Sequence, residues 1–137
     1  MKDIFDLLGR VLMAFLFFYE AYDTLFFYAD TKRIMTTYGL LWRQELLINC
    51  SIFLLVLGSL LLLLGYRASL GAAMLLIYWI PLTFILFPVW EIGQEGKREL
   101  SVHFMKNMAI SGGLFLFLVN GAGRWSIRRL FATSFVR

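Results

Sequence analysis

The chain has 137 residues and a formal net charge of +4; 61% of its residues are hydrophobic and 18% are aromatic. A soluble domain of this length needs more polar surface than this composition supplies. Apolar segments that cross a hydrocarbon core take about 20 residues each, so four of them use most of the chain and leave no room for a second domain. The single cysteine, Cys50, excludes an internal disulfide and a paired-cysteine redox centre.

We therefore predict an all-α, integral membrane four-helix bundle with short loops, formed by a single transmembrane domain over residues 1–137. The predicted spans are residues 5–28, 46–64, 70–89 and 102–119. The short turn at residues 65–69 makes the second and third spans antiparallel neighbours, and Pro81 is expected to kink the third span. Small residues let helix backbones approach closely, which predicts packing contacts at Gly58, Gly112 and Gly113.

Two segments outside the spans have an interfacial pattern. Residues 29–45 mix apolar and charged side chains, which indicates a re-entrant or interfacial piece. In the C-terminal tail, apolar residues at helical spacing face Arg124, Arg128 and Arg129. This pattern predicts a basic amphipathic helix resting on anionic lipid, although an ordinary basic flank of the last span has the same composition.

An even number of spans places both termini on one face of the membrane. Seven of the 13 basic residues then lie on that face and six on the other, counted along the printed sequence. Most of the acidic residues lie on the second face. Both distributions favour cytoplasmic termini, by a narrow margin.

Polar residues gather at the predicted bundle end opposite the termini. The ends of the four spans bring six of them to this level: Glu20, Asp23, Asn49, His103, Lys106 and Asn107. A lone charge at the depth of Glu20 costs at least a few kcal/mol, and Lys106 is the expected partner. Two interpretations remain open. The cluster is either a polar pocket for a quinone head group, a proton or a small ligand, or a structural ion pair that fixes helix packing.

Several other chemistries do not fit the residues. One histidine cannot provide the pair of axial ligands that a b-type haem commonly uses, and one His with one Cys is a poor set for zinc or copper. We therefore expect no metal and no covalently bound cofactor, whereas a quinone or a lipid suits such a pocket. The basic residues are scattered through short loops and the tail, which gives no nucleic-acid site.

Three segments carry a family resemblance. The first span opens with Leu-Gly-Arg-Val-Leu at residues 8–12. The second ends with Gly58, Ser59, five leucines and the Gly-Tyr-Arg turn at residues 65–67. The fourth contains Lys106-Asn107 followed by Gly112-Gly113. Together these segments resemble the DoxX family of small four-helix bacterial membrane proteins, over nearly the whole chain.

The resemblance implies a four-helix membrane fold, and some relatives are subunits associated with thiosulfate:quinone oxidation or with membrane-bound oxidoreductase complexes. The residues that match the family pattern are Gly9, Arg10, Gly58, Gly65, Arg67, Lys106, Asn107, Gly112 and Gly113. The chain departs from the pattern in its charges. It has Glu20-Ala21 and then Asp23 where relatives often have small and basic residues, and Leu57 where an acid often stands.

From these observations we expect a non-catalytic accessory subunit of the bacterial inner membrane. It would pack against other integral membrane subunits through its aromatic surface and interfacial loops. The alternative is a quinone-linked oxidoreductase subunit, in which Glu20, His103 and Lys106 form hydrogen bonds to the quinone head and handle protons. A third hypothesis is a small-solute or lipid transporter. Against it, the sequence shows neither the inverted repeats nor the paired broken helices from which many transporters are built.

Overall fold

The computed structural model describes residues 1–90 and 96–121. These residues form five helices, and no strand occurs among them. The helices are α1 (Lys2–Phe26), α2 (Tyr28–Thr37), α3 (Gln44–Leu64), α4 (Ala68–Leu86) and α5 (Lys97–Asn120). The basic tail with Arg124, Arg128 and Arg129 lies outside the described residues.

The helix beyond the predicted four is α2. It occupies the first part of the segment expected to lie at the membrane interface, and it packs against α1 and α3. None of its residues is buried, and the hydroxyls of Thr31, Thr36 and Thr37 each donate to a carbonyl one turn earlier in the chain. Such a mixed and short helix has too little apolar sequence to look like a span, which is why the sequence predicts an interfacial piece and not a helix.

Three of the helices, α3, α4 and α5, are long and apolar enough to cross a membrane. Helix α1 does not meet the same composition criterion, although it is 25 residues long. Its charged residues account for the difference, because Arg10, Glu20 and Asp23 fall within its apolar part. Four spans are predicted, whereas composition alone identifies three helices that could cross a membrane. Whether α1 is a further spanning helix depends on the surroundings of its charged side chains.

The bundle is built from neighbouring pairs of helices. Helix α1 packs on α3, α3 on α4, and α4 on α5. The core runs along these contacts, and the rings of Phe17 and Trp79 meet edge to face, 5.2 Å apart, which joins α1 to α4. Its fully buried apolar side chains include Phe17, Leu55, Leu62, Ala72, Leu75 and Leu114.

Helices α3 and α4 approach each other most closely at Gly58 and Gly71. A Cβ atom on Gly71 would lie 2.7 Å from the carbonyl oxygen of Gly58 and 3.0 Å from the backbone nitrogen of Leu62, so neither backbone leaves room for a side chain. The turn between the helices is short, and Gly65 and Arg67 both take positive φ angles, of 69° and 55°. The expected antiparallel pairing of these two segments is observed.

The two glycines of α5 differ from each other. A Cβ on Gly113 would meet the methyl end of Met13, at 3.0 Å, so this glycine faces α1. Gly112 is exposed and has open space where its side chain would be. The predicted packing contact at Gly112 is therefore not found among residues 1–90 and 96–121, because Gly112 lies about 100° around the helix from the buried Ser111. Helix α4 continues through Pro81 without a break.

Candidate ligand cavity at the far end of the bundle

A cavity lies at the far end of the bundle, where α1 and α4 end and α3 begins. It has a volume of about 250 Å³, just below the range of about 300–1,000 Å³ that small-molecule sites usually have. We call it the far-end cavity. Four helices supply its lining: Glu20, Asp23 and Thr24 of α1; Thr31, Ile34 and Met35 of α2; Tyr38 and Leu40 of the following loop; Ile48 and Ser51 of α3; Tyr78, Leu82, Ile85 and Leu86 of α4.

Two carboxylates of α1 border this cavity. Glu20 and Asp23 are three residues apart, so they lie on neighbouring positions of the helix surface. Glu20 is half-buried, whereas Asp23 is exposed. Because Glu20 borders this cavity, water or a polar ligand can reach its carboxylate, which lowers the cost of a carboxylate on an otherwise apolar helix.

The hydroxyl groups around the cavity have already used their hydrogens. Thr24 donates to the Glu20 carbonyl at 2.9 Å, and Ser51 donates to the Leu47 carbonyl at 2.8 Å. Thr31 and Tyr38 likewise donate to backbone carbonyls, at 3.1 and 3.2 Å. What these groups still offer a ligand is oxygen lone pairs, and the carboxylates add more of them.

Tyr78 completes this arrangement from α4. It lines the same cavity as Glu20 and Thr24, and its hydroxyl can donate or accept a hydrogen bond. The cavity thus presents mainly hydrogen-bond acceptors above an apolar floor, and it suits a ligand that brings donors. Within residues 1–90 and 96–121, no three His, Cys, Asp or Glu side chains come together as metal ligands would.

The other residues of the predicted polar cluster lie elsewhere. Asn49 is on the outer side of α3, and His103 stacks on the Phe87 ring with centroids 5.7 Å apart. Lys106 is exposed and lines a shallow depression on the outside of α5. The Asn107 backbone carbonyl accepts hydrogen bonds from the Trp79 indole, at 3.3 Å, and from Ser111, at 3.0 Å.

The structure therefore does not bring Lys106 to Glu20. The inward face of α5 is marked by the buried Ser111 and Leu114. At 100° per residue, Lys106 lies about 140° around the helix from Ser111 and about 80° from Leu114, and its side chain is exposed. The predicted pairing of Lys106 with Glu20 was based on a depth in the membrane that both residues could share. It did not take into account how α5 is rotated about its own axis.

Two polar residues that matter here were not in the predicted cluster. Tyr78 lies in a nearly continuous apolar segment, where a tyrosine is equally typical of helix packing or of the membrane interface. Its position three residues before Pro81 gives no signal of a cavity. Arg10 was recognised only as a charge within the first span and as part of the family resemblance, yet its side chain is completely buried.

Arg10 forms an ion pair at the opposite end of the bundle. Its Nε lies 3.1 Å from Oδ2 of Asp6, one turn earlier on α1, and the Asp6 side chain is 23% exposed. Close by, a Cβ on Gly9 would meet the Phe117 ring of α5 at 3.2 Å. A buried guanidinium is costly without a carboxylate, so Asp6 and Arg10 act as a unit that lets α1 enter the bundle.

Comparisons with known proteins agree with this architecture. The DoxX family matches residues 5–88, a stretch that includes every residue lining the far-end cavity. The chain is 29% identical over 130 residues to the inner membrane protein YqjF of Escherichia coli (strain K12), and the alignment covers 95% of this chain and 94% of that protein. No solved structure gives a significant match. The resemblance predicted from the sequence is confirmed, and the chain belongs to the DoxX family of membrane proteins.

Proposed function

We propose that this protein is a non-catalytic accessory subunit of a larger complex in the bacterial inner membrane, where it binds another integral membrane protein through α1. The inner membrane is supported by the name of the Escherichia coli relative and by three helices that are apolar enough to cross a bilayer. The observation that carries the proposal is the outer surface of α1.

Helix α1 presents a stripe of large side chains to the outside, spaced alternately three and four residues apart. Each member is between 52% and 72% exposed. We call these seven residues the α1 stripe: Phe5, Leu8, Leu12, Phe15, Tyr19, Tyr22 and Phe26. This spacing, with a mean period of 3.5 residues, is the one with which two helices pack side by side along their whole length.

The composition of the α1 stripe favours a protein neighbour over lipid alone. Two of its members are tyrosines, whose hydroxyls seek hydrogen-bond partners that lipid tails do not provide. Tyr19 lies seven residues before the end of α1, about 10 Å along the helix. The rings of Tyr22 and Phe26 already pack against each other, 4.2 Å apart, and form a ready-made aromatic surface.

A photo-crosslinking amino acid at Phe15 tests this proposal in intact membranes. Phe15 is the most exposed member of the α1 stripe, at 72%, and Leu116 on α5 is a comparable control, at 64%. We expect the probe at Phe15 to give one discrete crosslinked membrane protein and the probe at Leu116 to give lipid adducts. Lipid adducts from both positions, or crosslinks only between copies of this chain, would contradict the accessory role.

We further propose that α1 is the fourth span and that both termini are cytoplasmic. At about 1.5 Å per residue its 25 residues extend about 37 Å, which exceeds a hydrocarbon core of about 30 Å. Its charges are accommodated, since Arg10 is buried beside Asp6 and Glu20 borders the far-end cavity. Reporters at the N-terminus, after α1 and at the C-terminus test this topology, and we expect cytoplasmic, periplasmic and cytoplasmic locations in that order.

A second candidate, the quinone-linked oxidoreductase subunit, is supported by the far-end cavity. The cavity is large enough for a head group, lies where α1 and α4 end and α3 begins, and combines an apolar floor with Glu20 and Tyr78. Because its lining offers mainly acceptors, the hydroxyls of a reduced quinone suit it better than the carbonyls of the oxidised form. In this role Glu20 would accept a hydrogen bond from the head group.

Changing Glu20 to glutamine tests the second candidate. Loss of a hydrogen bond to a charged group costs about 1.5–3 kcal/mol, so Glu20→Gln should weaken binding of a tail-less benzoquinol by about ten-fold or more. Lys106→Met is the matched control, because Lys106 is exposed on another face, and it should leave the affinity unchanged. Equilibrium titration of the purified protein measures both. An equal loss in the two variants, or no binding by the unmodified protein, rules out a quinol head in this cavity.

A further inference from the structure

A second depression lies on the outer surface, between α2, the loop that follows it and the first half of α3. We call it the α3 groove. Its volume is about 980 Å³, at the upper end of the usual range for ligand sites, and it is open to the outside. It is lined by Lys32, Leu41, Arg43, Gln44, Glu45, Leu46, Asn49, Cys50, Phe53 and Leu54.

The upper rim of the α3 groove carries an excess of positive charge. Lys32 Nζ lies 2.9 Å from Oε1 of Glu45, and this carboxylate raises the pKa of Lys32, which therefore stays charged at neutral pH. Arg43 is exposed, and its guanidinium lies 5.6 Å from the centre of the Trp42 ring. It takes part in none of the ion pairs found among the described residues. Two cations and one carboxylate leave the rim with one net positive charge.

The floor of the α3 groove is apolar and follows one face of a helix. Leu46, Cys50 and Phe53 are spaced four and three residues apart, so they align along the outside of α3, away from the buried Ile48 and Leu55. From Leu46 to Leu54 the floor extends about 12 Å at 1.5 Å per residue. One leaflet of a hydrocarbon core is about 15 Å thick, so the floor has the length of an acyl chain.

The rim has the composition of a segment at the level of the lipid head groups. Trp42 is 73% exposed next to Arg43, and exposed tryptophans mark the boundary between hydrocarbon and water. The α3 groove thus has cations at the depth of phosphate groups and an apolar floor at the depth of acyl chains.

We propose that the α3 groove is a binding site for an anionic phospholipid, whose phosphate lies between Lys32 and Arg43 and whose acyl chain follows the outer face of α3. Charge selects this occupant. A zwitterionic lipid brings a cation of its own to the positive rim, whereas a phosphatidylglycerol head group does not. An apolar helix in the groove would offer the Arg43 guanidinium no hydrogen-bond acceptor, whereas a phosphate supplies one. The site is independent of the α1 stripe and of the far-end cavity.

Native mass spectrometry of the detergent-purified protein tests the site, with phosphatidylglycerol and phosphatidylcholine of identical chains as probes. We expect the anionic lipid to bind at least about five-fold more tightly, the factor expected from one net basic residue at a membrane surface. The variants Lys32→Gln and Arg43→Gln should each lose about that factor. Arg33→Gln is the matched control, since Arg33 is on the same helix, pairs with Asp30 at 3.8 Å and does not line the groove.

Cys50 locates the bound lipid. This exposed thiol lies on the groove floor, so an uncharged maleimide should modify it more slowly when phosphatidylglycerol is bound than when phosphatidylcholine is present. Lys32→Gln and Arg43→Gln should remove this protection and Arg33→Gln should keep it. Equal affinity for the two lipids, an unchanged rate at Cys50, or an equal effect of Arg33→Gln would overturn the proposal. All three readings are made on variants that elute as folded protein.

Discussion

Replacing Gly71 by alanine is expected to destabilise the protein by about 3 kcal/mol, the upper part of the range for adding a methyl group to a closely packed core. The new Cβ would lie 2.7 Å from the Gly58 carbonyl oxygen and 3.0 Å from the Leu62 nitrogen, and both are backbone atoms that cannot turn aside. Helices α3 and α4 must therefore separate along their whole contact. Thermal or SDS-induced unfolding in mild detergent, followed by helical circular dichroism, measures the loss.

Gly112→Ala is the control for this substitution. Gly112 lies in the middle of α5 and has no atom within 4 Å of the position of an added Cβ. Alanine is a better helix former than glycine by about 1 kcal/mol, so this variant should be as stable as the unmodified protein or slightly more stable. If Gly71→Ala and Gly112→Ala behave alike, the close backbone contact between α3 and α4 is not a feature of the folded protein.

The second large effect is expected at the other end of the bundle, where Asp6→Asn should destabilise the protein by about 3 kcal/mol. Arg10 is completely buried, and its Nε lies 3.1 Å from the Asp6 carboxylate. Removing one partner of a buried ion pair costs about 3–5 kcal/mol, because the other charge stays in a medium of low polarity. The same unfolding measurement applies.

A double substitution tests whether the loss of stability in Asp6→Asn comes from an unbalanced buried charge or from the loss of a contact. Replacing a whole buried pair by apolar or neutral groups is often close to neutral, so Asp6→Asn combined with Arg10→Met should recover much of the stability lost in Asp6→Asn alone. The coupling between the two positions should exceed about 1 kcal/mol. Purely additive effects would mean that the pair does not form in the folded protein.

Much of the helix arrangement follows from the sequence because apolar length and short turns determine it. The segments predicted at 46–64 and 70–89 appear as α3 and α4; the end of α3 is as predicted, and the other three ends are shifted by two or three residues. Their antiparallel contact follows from a turn too short for any other geometry. Helix α2 was missed as a helix because its mixed composition indicates interfacial depth but does not distinguish a helix from irregular structure.

The candidate site was harder to predict, because it depends on the rotation of each helix about its axis. Glu20 and Asp23 border the far-end cavity together with Thr24 and Tyr78, which carry no charge and give no signal in an apolar span. Lys106 shares the far end by sequence and points to the outside in the structure. Arg10 is the opposite case, because it lies close to the end of a predicted span and its side chain is nevertheless fully buried.

Native mass determination after gentle detergent extraction tests most directly whether this protein works as a subunit of a larger membrane complex, as we propose. We expect a particle larger than this chain, with a second integral membrane protein in fixed stoichiometry. That protein should be lost when Phe15 and Tyr19 of the α1 stripe are changed to alanine. A small homogeneous particle that contains only this chain with lipid or quinone would contradict the accessory role and leave an autonomous binding protein.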